Sequence, residues 1–320
     1  MTKLQHYPSN QISTEIEVRD DLAPEGLAAI SPLPLVCRWP VTGQIKGYAI
    51  FCHGLSASGR HYAELCCHWA SHGYLVINPT FPDWVDAVAK AEPDLGYEPG
   101  QDGVAWAAHP QMKARLYEIL HKPEYWLQRV EIVRLVMDNL DTIFNQTCGA
   151  RLLPTKGAIT GHSFGAYTSQ LFAGAEIDLP GKGSVNFLDD RFSAAILMSA
   201  QGRDQQGLRD GSWDGINGPM LNLTGTRDGG AKGQDWRWKV EPYEFAPPGD
   251  KYLAVLTDAD HYLGGIAIPE QMPVPAHKEA VLQITLAFLD AYLAGDAAAR
   301  DWLAALAGRV DDCPLVFKRK

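Results

Sequence analysis

The sequence predicts an α/β fold: a mostly parallel central sheet with helices on both faces. Two observations support this class. Short apolar runs that fit strands alternate along the chain with longer segments whose periodicity fits helices. The run at 47–52 is apolar throughout, as expected for a strand covered on both faces of a parallel sheet. No repeat or linker divides the sequence, so we expect a single domain over residues 1–320.

The strand predictions come from these apolar runs and from one alternating segment. Strands are expected at 12–19, 33–39, 47–52, 74–79, 156–160, 192–199, 220–225 and 251–256. Residues 12–19 alternate apolar and polar side chains, which indicates a half-buried antiparallel strand near a sheet edge. We expect 251–256 to be the last core strand and the tail at 318–320 to be solvated.

The helix predictions rest on apolar side chains at helical spacing. Helices are expected at 61–72, 126–145, 166–175 and 276–293, with a further one at 297–306. Residues 179–190 and 201–219 are expected to be loops. Between 81 and 125 the periodicity fails and prolines recur, so this segment is interpreted as an elaborated loop or small cap, with a short helix at 116–120.

Composition limits the classes of function. The chain has 320 residues, 46% hydrophobic and 21% charged, which is typical of a globular protein with a large core. Its formal net charge of −10 argues against nucleic-acid binding, which usually requires a basic face. The amino-terminal residues lack an apolar signal region and no run is long enough to span a bilayer, so we expect a cytoplasmic protein without a membrane partner.

The six cysteines and a histidine pair were considered as covalent or metal sites. The cysteine spacing matches no zinc pattern, so buried reduced thiols are expected, with a bond between Cys148 and Cys313 left open. His68 and His72 are four residues apart, but neither belongs to an H-E-x-x-H motif. We therefore expect no metal and no cofactor.

The pentapeptide at 161–165 reads G-x-S-x-G, with Ser163 at its centre. An apolar run precedes it and a helical segment rich in small residues follows. This strand–turn–helix context predicts a nucleophile elbow, in which a strained turn exposes the serine and glycine on either side avoids steric conflict. The start of the following helix would offer N–H groups to a developing oxyanion.

Chain order then suggests the partners of this serine. Asp228 follows the predicted strand at 220–225, and His261 follows the strand at 251–256. Each lies where parallel strands end, which is where such sheets form their ligand crevice. The order serine, aspartate, histidine predicts a catalytic triad of Ser163, Asp228 and His261. The loop His53-Gly54-Leu55 after the strand at 47–52 predicts an oxyanion hole formed by the backbone N–H groups of Leu55 and Phe164.

These residues resemble the α/β-hydrolase superfamily, and the resemblance runs from about Lys46 to Leu293. More narrowly, His53-Gly54-Leu55, the segment at 161–168 and Asp260-His261-Tyr262 look like the predicted dienelactone-hydrolase group. That group has no sharp boundary with bacterial relatives of platelet-activating-factor acetylhydrolase and of the cutinase-like polyester-cleaving enzymes. Dienelactone hydrolases use a cysteine nucleophile, whereas this chain has Ser163. Mammalian-type acetylhydrolases place the acid after an earlier strand, which makes Asp204 the alternative to Asp228.

The resemblance and the triad order together predict a serine carboxylesterase acting on a small-molecule ester of small to medium chain length. Two alternatives remain: a lipase or phospholipid or polyester acyl-hydrolase, and a non-catalytic binding protein with the same fold. Trp84, Trp106 and Trp213 lie on segments expected near Ser163, where rigid aromatic walls would limit the acyl chain. The oligomeric state is left open.

Overall fold

The computed structural model describes residues 6–8, 13–101, 104–151, 157–267 and 273–320. The first residues of two predicted strands, Ile12 and Lys156, lie outside these ranges, as does the amino-terminal segment 1–5. Within the described ranges, no helix combines the length and the apolar character needed to span a bilayer. All six cysteines are free thiols, including Cys148 and Cys313.

A mixed sheet runs through the molecule in the order β1-β2-β4-β3-β5-β8-β9-β10-β12-β11. The strands are β1 Ile16–Leu22, β2 Leu35–Pro40, β3 Gly47–Cys52, β4 Tyr74–Asn78, β5 Gly157–His162, β6 Glu176–Leu179, β7 Gly183–Asn186, β8 Phe192–Met198, β9 Met220–Gly225, β10 Lys251–Leu256, β11 Arg309–Val310 and β12 Cys313–Arg319. The central strands from β4 to β10 are parallel, and antiparallel strands close both edges. The predicted mostly parallel α/β fold is therefore confirmed.

Helices cover both faces of this sheet. They are α1 Leu27–Ile30, α2 Ala63–Ser71, α3 Val85–Ala91, α4 Pro110–His121, α5 Pro123–Asp138, α6 Leu140–Gln146, α7 Phe164–Phe172, α8 Glu241–Phe245, α9 Pro275–Leu289 and α10 Ala297–Ala305. Successive residues of a strand point to opposite faces, so Ile50 packs with α5 and α7 while Phe51 packs with α2 and α9. The two apolar layers enclose the sheet and leave the carboxyl ends of its parallel strands for the site.

The structure corrects several predicted boundaries. The strand expected at 251–256 is not the last one, because β12 pairs antiparallel with β10. Strand β12 includes Lys318 and Arg319 of the tail, and both are exposed, as expected. The loop expected at 179–190 contains strand β7, which forms a two-stranded hairpin with β6. Short polar strands such as β7 bury too little apolar surface to leave a periodic signal in the sequence.

Helix boundaries also differ from the predictions. The helix expected at 126–145 is divided at Asn139 into α5 and α6. The helix expected at 61–72 begins only at Ala63, so His61 precedes it. Burial lowers the pKa of His68, expected on the helix surface, to about 4. Apolar periodicity shows which face of a helix is buried, but it does not fix the residue at which the helix begins, breaks or ends.

The segment at 81–125 is more helical than predicted. Helix α4 is twelve residues long and includes the predicted short helix at 116–120. Pro110 occupies its first turn and the His109 side chain accepts a hydrogen bond from the backbone of Met112, as at a capped helix start. Helices α3 and α4 share a small apolar cluster of their own, formed by Val85, Val88, Ala89, Tyr97, Met112, Leu116 and Ile119. We call this segment the cap.

Candidate active site

Ser163 lies on a sharp turn between β5 and α7, with backbone angles φ 54° and ψ −120°. This left-handed region is unfavourable for a residue with a side chain, so the turn holds local strain. The flanking glycines are required by close backbone approach. A Cβ atom at Gly165 would lie 1.8 Å from the carbonyl oxygen of Cys52, and one at Gly161 would lie 2.4 Å from the backbone of Gly165. The elbow geometry therefore depends on both glycines.

The structure brings together the three residues suggested by chain order. His261 Nε2 lies 3.0 Å from Ser163 Oγ, and His261 Nδ1 lies 2.8 Å from Asp228 Oδ1. Because a carboxylate can only accept, Nδ1 carries the proton and Nε2 is free to accept the serine proton. The other oxygen of Asp228 accepts from Thr224 Oγ1 at 2.7 Å. This arrangement can activate a serine hydroxyl for nucleophilic attack.

Asp228 and the alternative acid Asp204 are in different environments. Asp228 is fully buried, whereas Asp204 is exposed and its side chain has no hydrogen bond to His261 in the described part of the chain. Burial acts to raise the pKa of the Asp228 carboxyl, but the positive charge of Lys239 and the interactions with His261 and Ser199 outweigh it. The pKa is therefore below its ordinary value, and Asp228 is ionised at neutral pH.

Several residues that the sequence reasoning missed surround this group. Ser199, just after β8, has its Oγ 2.9 Å from His261 Nδ1. Lys239, on a short 3₁₀ helix at Trp236–Val240, donates from Nζ to the carbonyl of Ser199 at 3.2 Å. Both belong to segments without a motif. The one available signal was the position of Ser199 at the end of a predicted parallel strand.

His162, the variable residue before the nucleophile, connects two loops of the site. Its Nε2 donates to the backbone carbonyl of His261 at 2.7 Å, and its Nδ1 accepts from the Tyr62 hydroxyl at 2.9 Å. The same hydroxyl accepts from the Gly54 N–H at 3.2 Å. Burial lowers the pKa of His162 to about 3, so it remains neutral. Neutral His162 therefore connects the backbone of His261, through the Tyr62 hydroxyl, to the backbone of Gly54.

The predicted oxyanion donors lie where two parallel strands end. Among the described residues, neither the Leu55 N–H nor the Phe164 N–H has a hydrogen-bond partner, so both are available to a ligand. Phe164 is the first residue of α7, whose N-terminus adds a favourable dipole. Tetrahedral intermediates of acyl transfer are stabilised by donors of this kind.

A buried ion pair between Arg129 and Asp83 lies against the two segments that carry Leu55 and Phe164. Arg129 of α5 is fully buried and makes two hydrogen bonds to Asp83, at 2.8 and 2.6 Å. It also donates to the His53 carbonyl at 2.9 Å, and its guanidinium carbon lies 4.0 Å from the centroid of the Phe164 ring. Arg129 thus contacts both segments that carry the predicted oxyanion donors. No sequence motif indicated it.

A cavity of about 350 Å³ opens in front of Ser163. Its lining comes from the segment after β3, the cap, the segment after β8 and the loop after β10, together with residues 229–231 and 238–239. Of the three tryptophans expected as walls, Trp106 lines the cavity. Trp84 and Trp213 do not: Trp84 packs against the apolar cluster of the cap, and Trp213 is fully buried in the main core. The expectation was wrong for these two because an aromatic residue on a polar segment can equally anchor that segment to a core.

One group of described side chains has the geometry of possible metal ligands. His6, Glu279 and Asp311 present atoms within 4.8 Å of one another. The trio lies outside the cavity that Ser163 lines, and His6 Nδ1 is already 2.9 Å from Asp311 Oδ2.

Comparison with known proteins agrees with this fold. No curated protein matches the sequence. The model of the family described as platelet-activating factor acetylhydrolase, isoform II, matches residues 41–200, which is half of the chain. The matched region contains the loop at Leu55 and the turn at Ser163, and it ends before Asp228 and His261. The chain therefore belongs to the platelet-activating factor acetylhydrolase, isoform II, family of serine ester hydrolases with the α/β-hydrolase fold.

Proposed function

We propose that this protein is a serine carboxylesterase in which Ser163 is the nucleophile, His261 the general base and Asp228 the orienting acid. The observation that carries the proposal is the continuous hydrogen-bond chain from Ser163 Oγ through His261 to buried Asp228. His261 would take the serine proton during attack on the ester carbonyl and return it to the leaving alcohol. Water would then attack the acyl-enzyme, with His261 taking a proton from the water and returning it to Ser163 Oγ.

The N–H groups of Leu55 and Phe164 are proposed to bind the oxyanion of both tetrahedral intermediates. Removal of one such donor typically costs roughly 2.7–4 kcal/mol of barrier. We also propose that residues 1–320 act as one domain, since the sheet that positions the site includes strands from both ends of the chain.

The proposed substrates are esters of small to medium acyl chains. The cavity volume of about 350 Å³ is near the lower end of ordinary ligand pockets, about 300–1,000 Å³. Trp106, Tyr117 and Leu120 of the cap line the cavity and would limit the chain that fits. Activity on p-nitrophenyl esters should rise from acetyl to about butyryl or hexanoyl and then fall.

The direct test is labelling by a fluorophosphonate probe, which reacts with activated serines. The wild-type protein should be labelled and should hydrolyse p-nitrophenyl butyrate, and Ser163→Ala should lose both properties. Ser184→Ala, which changes an exposed serine on β7, is the matched control and should retain both. Wild-type turnover in Ser163→Ala would exclude the proposed mechanism, and absence of labelling in the wild type would favour a non-catalytic binding protein.

The family description favours a second candidate function, hydrolysis of the acetyl ester of platelet-activating factor. Its short acyl group would fit the cavity. Rates on this lipid should be compared below and above the concentration at which it aggregates. A rise in rate only above that concentration would indicate an interfacial acyl-hydrolase, whereas a rate that follows the monomer would agree with the esterase.

A further inference from the structure

Lys239 is a buried lysine in the wall of the catalytic cavity. Its side chain is about 2% exposed, and it lines the same cavity as Ser163 and His261. The hydrogen bond from Nζ to the Ser199 carbonyl, at 3.2 Å, is at the long end of the ordinary range, and the described part of the chain offers Lys239 no carboxylate as an ion-pair partner. Lysine is rarely buried unless it is paired, because an ammonium group out of water needs a counter-charge.

The charge of Asp228 acts on Lys239, but the two side chains do not form an ion pair. Oδ1 of Asp228 is used by His261 and its Oδ2 by Thr224. An ammonium group has three N–H donors, and the Ser199 carbonyl takes one of them. The Trp238 ring centroid lies 5.2 Å from Nζ, and among the described residues Nζ has no other hydrogen-bond acceptor. Burial lowers the pKa of Lys239 while the charge of Asp228 acts to raise it, and a bound anion would further favour the charged form.

In the described part of the cavity wall, no carboxylate competes for Lys239. Among the wall's described residues there is no aspartate or glutamate, and Lys239 is the sole lysine or arginine. Trp106, which also lines the cavity, has a buried Nε1 N–H group without a hydrogen-bond partner in the described ranges. Across its described residues, the wall thus carries one positive charge and no carboxylate, while both carboxylate oxygens of Asp228 are hydrogen-bonded to Thr224 and His261.

We propose that Lys239 binds an anionic oxygen group of the substrate, a carboxylate or a phosphate, beside the ester cleaved at Ser163. This rests on the proposed esterase function and narrows its substrate class to negatively charged esters. Lys239 is then a specificity-determining residue: it contacts the substrate away from the reacting carbonyl.

Two matched pairs of esters test the charge and its position. Mono-p-nitrophenyl glutarate carries a carboxylate on the acyl side, and its methyl ester is the neutral match. 4-Acetoxybenzoate carries one on the alcohol side, and its methyl ester is again the match. The wild type should prefer the anionic member of at least one pair in kcat/KM, and the pair that responds identifies the side. Lys239→Met should reduce that preference on the order of 10- to 100-fold, the usual effect of losing a charge-assisted hydrogen bond.

Lys239→Arg is the control variant, because it keeps the charge and should keep part of the preference. Absence of a preference in the wild type, or a preference unchanged in Lys239→Met, would overturn the proposal. An equal loss on charged and neutral esters would also overturn it, since Lys239 would then act through Asp228. Fluorophosphonate labelling of Ser163 checks that each variant is folded. If Lys239→Met does not fold, the wild-type ratio of kcat/KM between charged and neutral esters still tests the proposal.

A binding measurement separates this proposal from ester hydrolysis itself. Glutarate should raise the melting temperature of the wild type, and its neutral diamide should not; inorganic phosphate in parallel distinguishes the two kinds of anion. The shift should be lost in Lys239→Met. A Lys239-dependent shift without hydrolysis of any ester would leave the anion site standing and remove the esterase. Hydrolysis without a charge preference and without a shift in melting temperature would leave the esterase standing and remove the anion site.

Discussion

The two sides of the site around Ser163 are held by different kinds of interaction. On the elbow side, Leu55 and Phe164 follow neighbouring parallel strands, and backbone contacts and the buried Arg129–Asp83 pair fix their positions. On the acid side, Asp228 and His261 come from separate loops and meet through side chains. The elbow side is a local backbone geometry with a strong motif, whereas the acid side depends on how distant segments pack.

The largest effect on activity is expected from a substitution on the acid side. Asp228→Asn should lower kcat by roughly 10³- to 10⁴-fold, because the amide no longer selects the imidazole tautomer that accepts the serine proton. Steady-state kinetics on p-nitrophenyl butyrate measures the loss. Asp204→Asn is the matched control: Asp204 is exposed, and asparagine tolerates its positive φ of 62°. The reverse result would show that the acid follows β8, as in the alternative arrangement.

On the elbow side, Arg129→Met should cost stability as well as activity. It leaves the Asp83 carboxylate buried without its partner, which typically costs about 3–5 kcal/mol. Urea unfolding measures the change in the free energy of unfolding. Arg134→Met, on the exposed face of the same helix, should change it by less than about 1 kcal/mol. If Arg129→Met and Asp83→Leu combined are no less destabilising than Arg129→Met alone, an unpaired charge is not the cause.

His162 joins the two sides, and its effect should appear as pH dependence. Its pKa is about 3 in the folded protein and 6.5 ordinarily, so between these values the unfolded chain binds a proton that the folded protein excludes. Stability therefore falls as pH decreases through this window, by about 1.4 kcal/mol per pH unit from this residue. His162→Gln, which keeps a donor and an acceptor, should reduce the slope by that amount in urea unfolding at about pH 6 and about pH 5. An unchanged slope would contradict the burial of a neutral imidazole.

The smallest expected effect concerns the cap. Trp106→Ala should enlarge the cavity and move the acyl-chain optimum to longer esters, with each additional methylene that fits contributing about 0.8 kcal/mol, or about fourfold in kcat/KM. Trp84→Phe is the control, because Trp84 does not line the cavity. An optimum that stays the same in Trp106→Ala would show that another wall limits the chain.

The sequence by itself was sufficient for the α/β class, the buried parallel strands and the elbow at Ser163. These features depend on short-range patterns: apolar runs for covered strands, and glycine where the backbone passes within contact distance of Cys52. The order of Ser163, Asp228 and His261 also suggested a triad, and the structure places the three within hydrogen-bond reach. Their catalytic roles stay a prediction until the variants are measured.

Only the tertiary structure decided which residues support that group. Arg129, Ser199 and Lys239 occupy segments whose sequences look like ordinary helix or loop, and their contacts join positions far apart in the chain. The same holds for the walls, where Trp106 faces the cavity and Trp213 faces the core although both are aromatic residues on polar segments. Periodicity reports which face of an element is buried, but a single side chain between elements finds its partner through the packing of the whole fold.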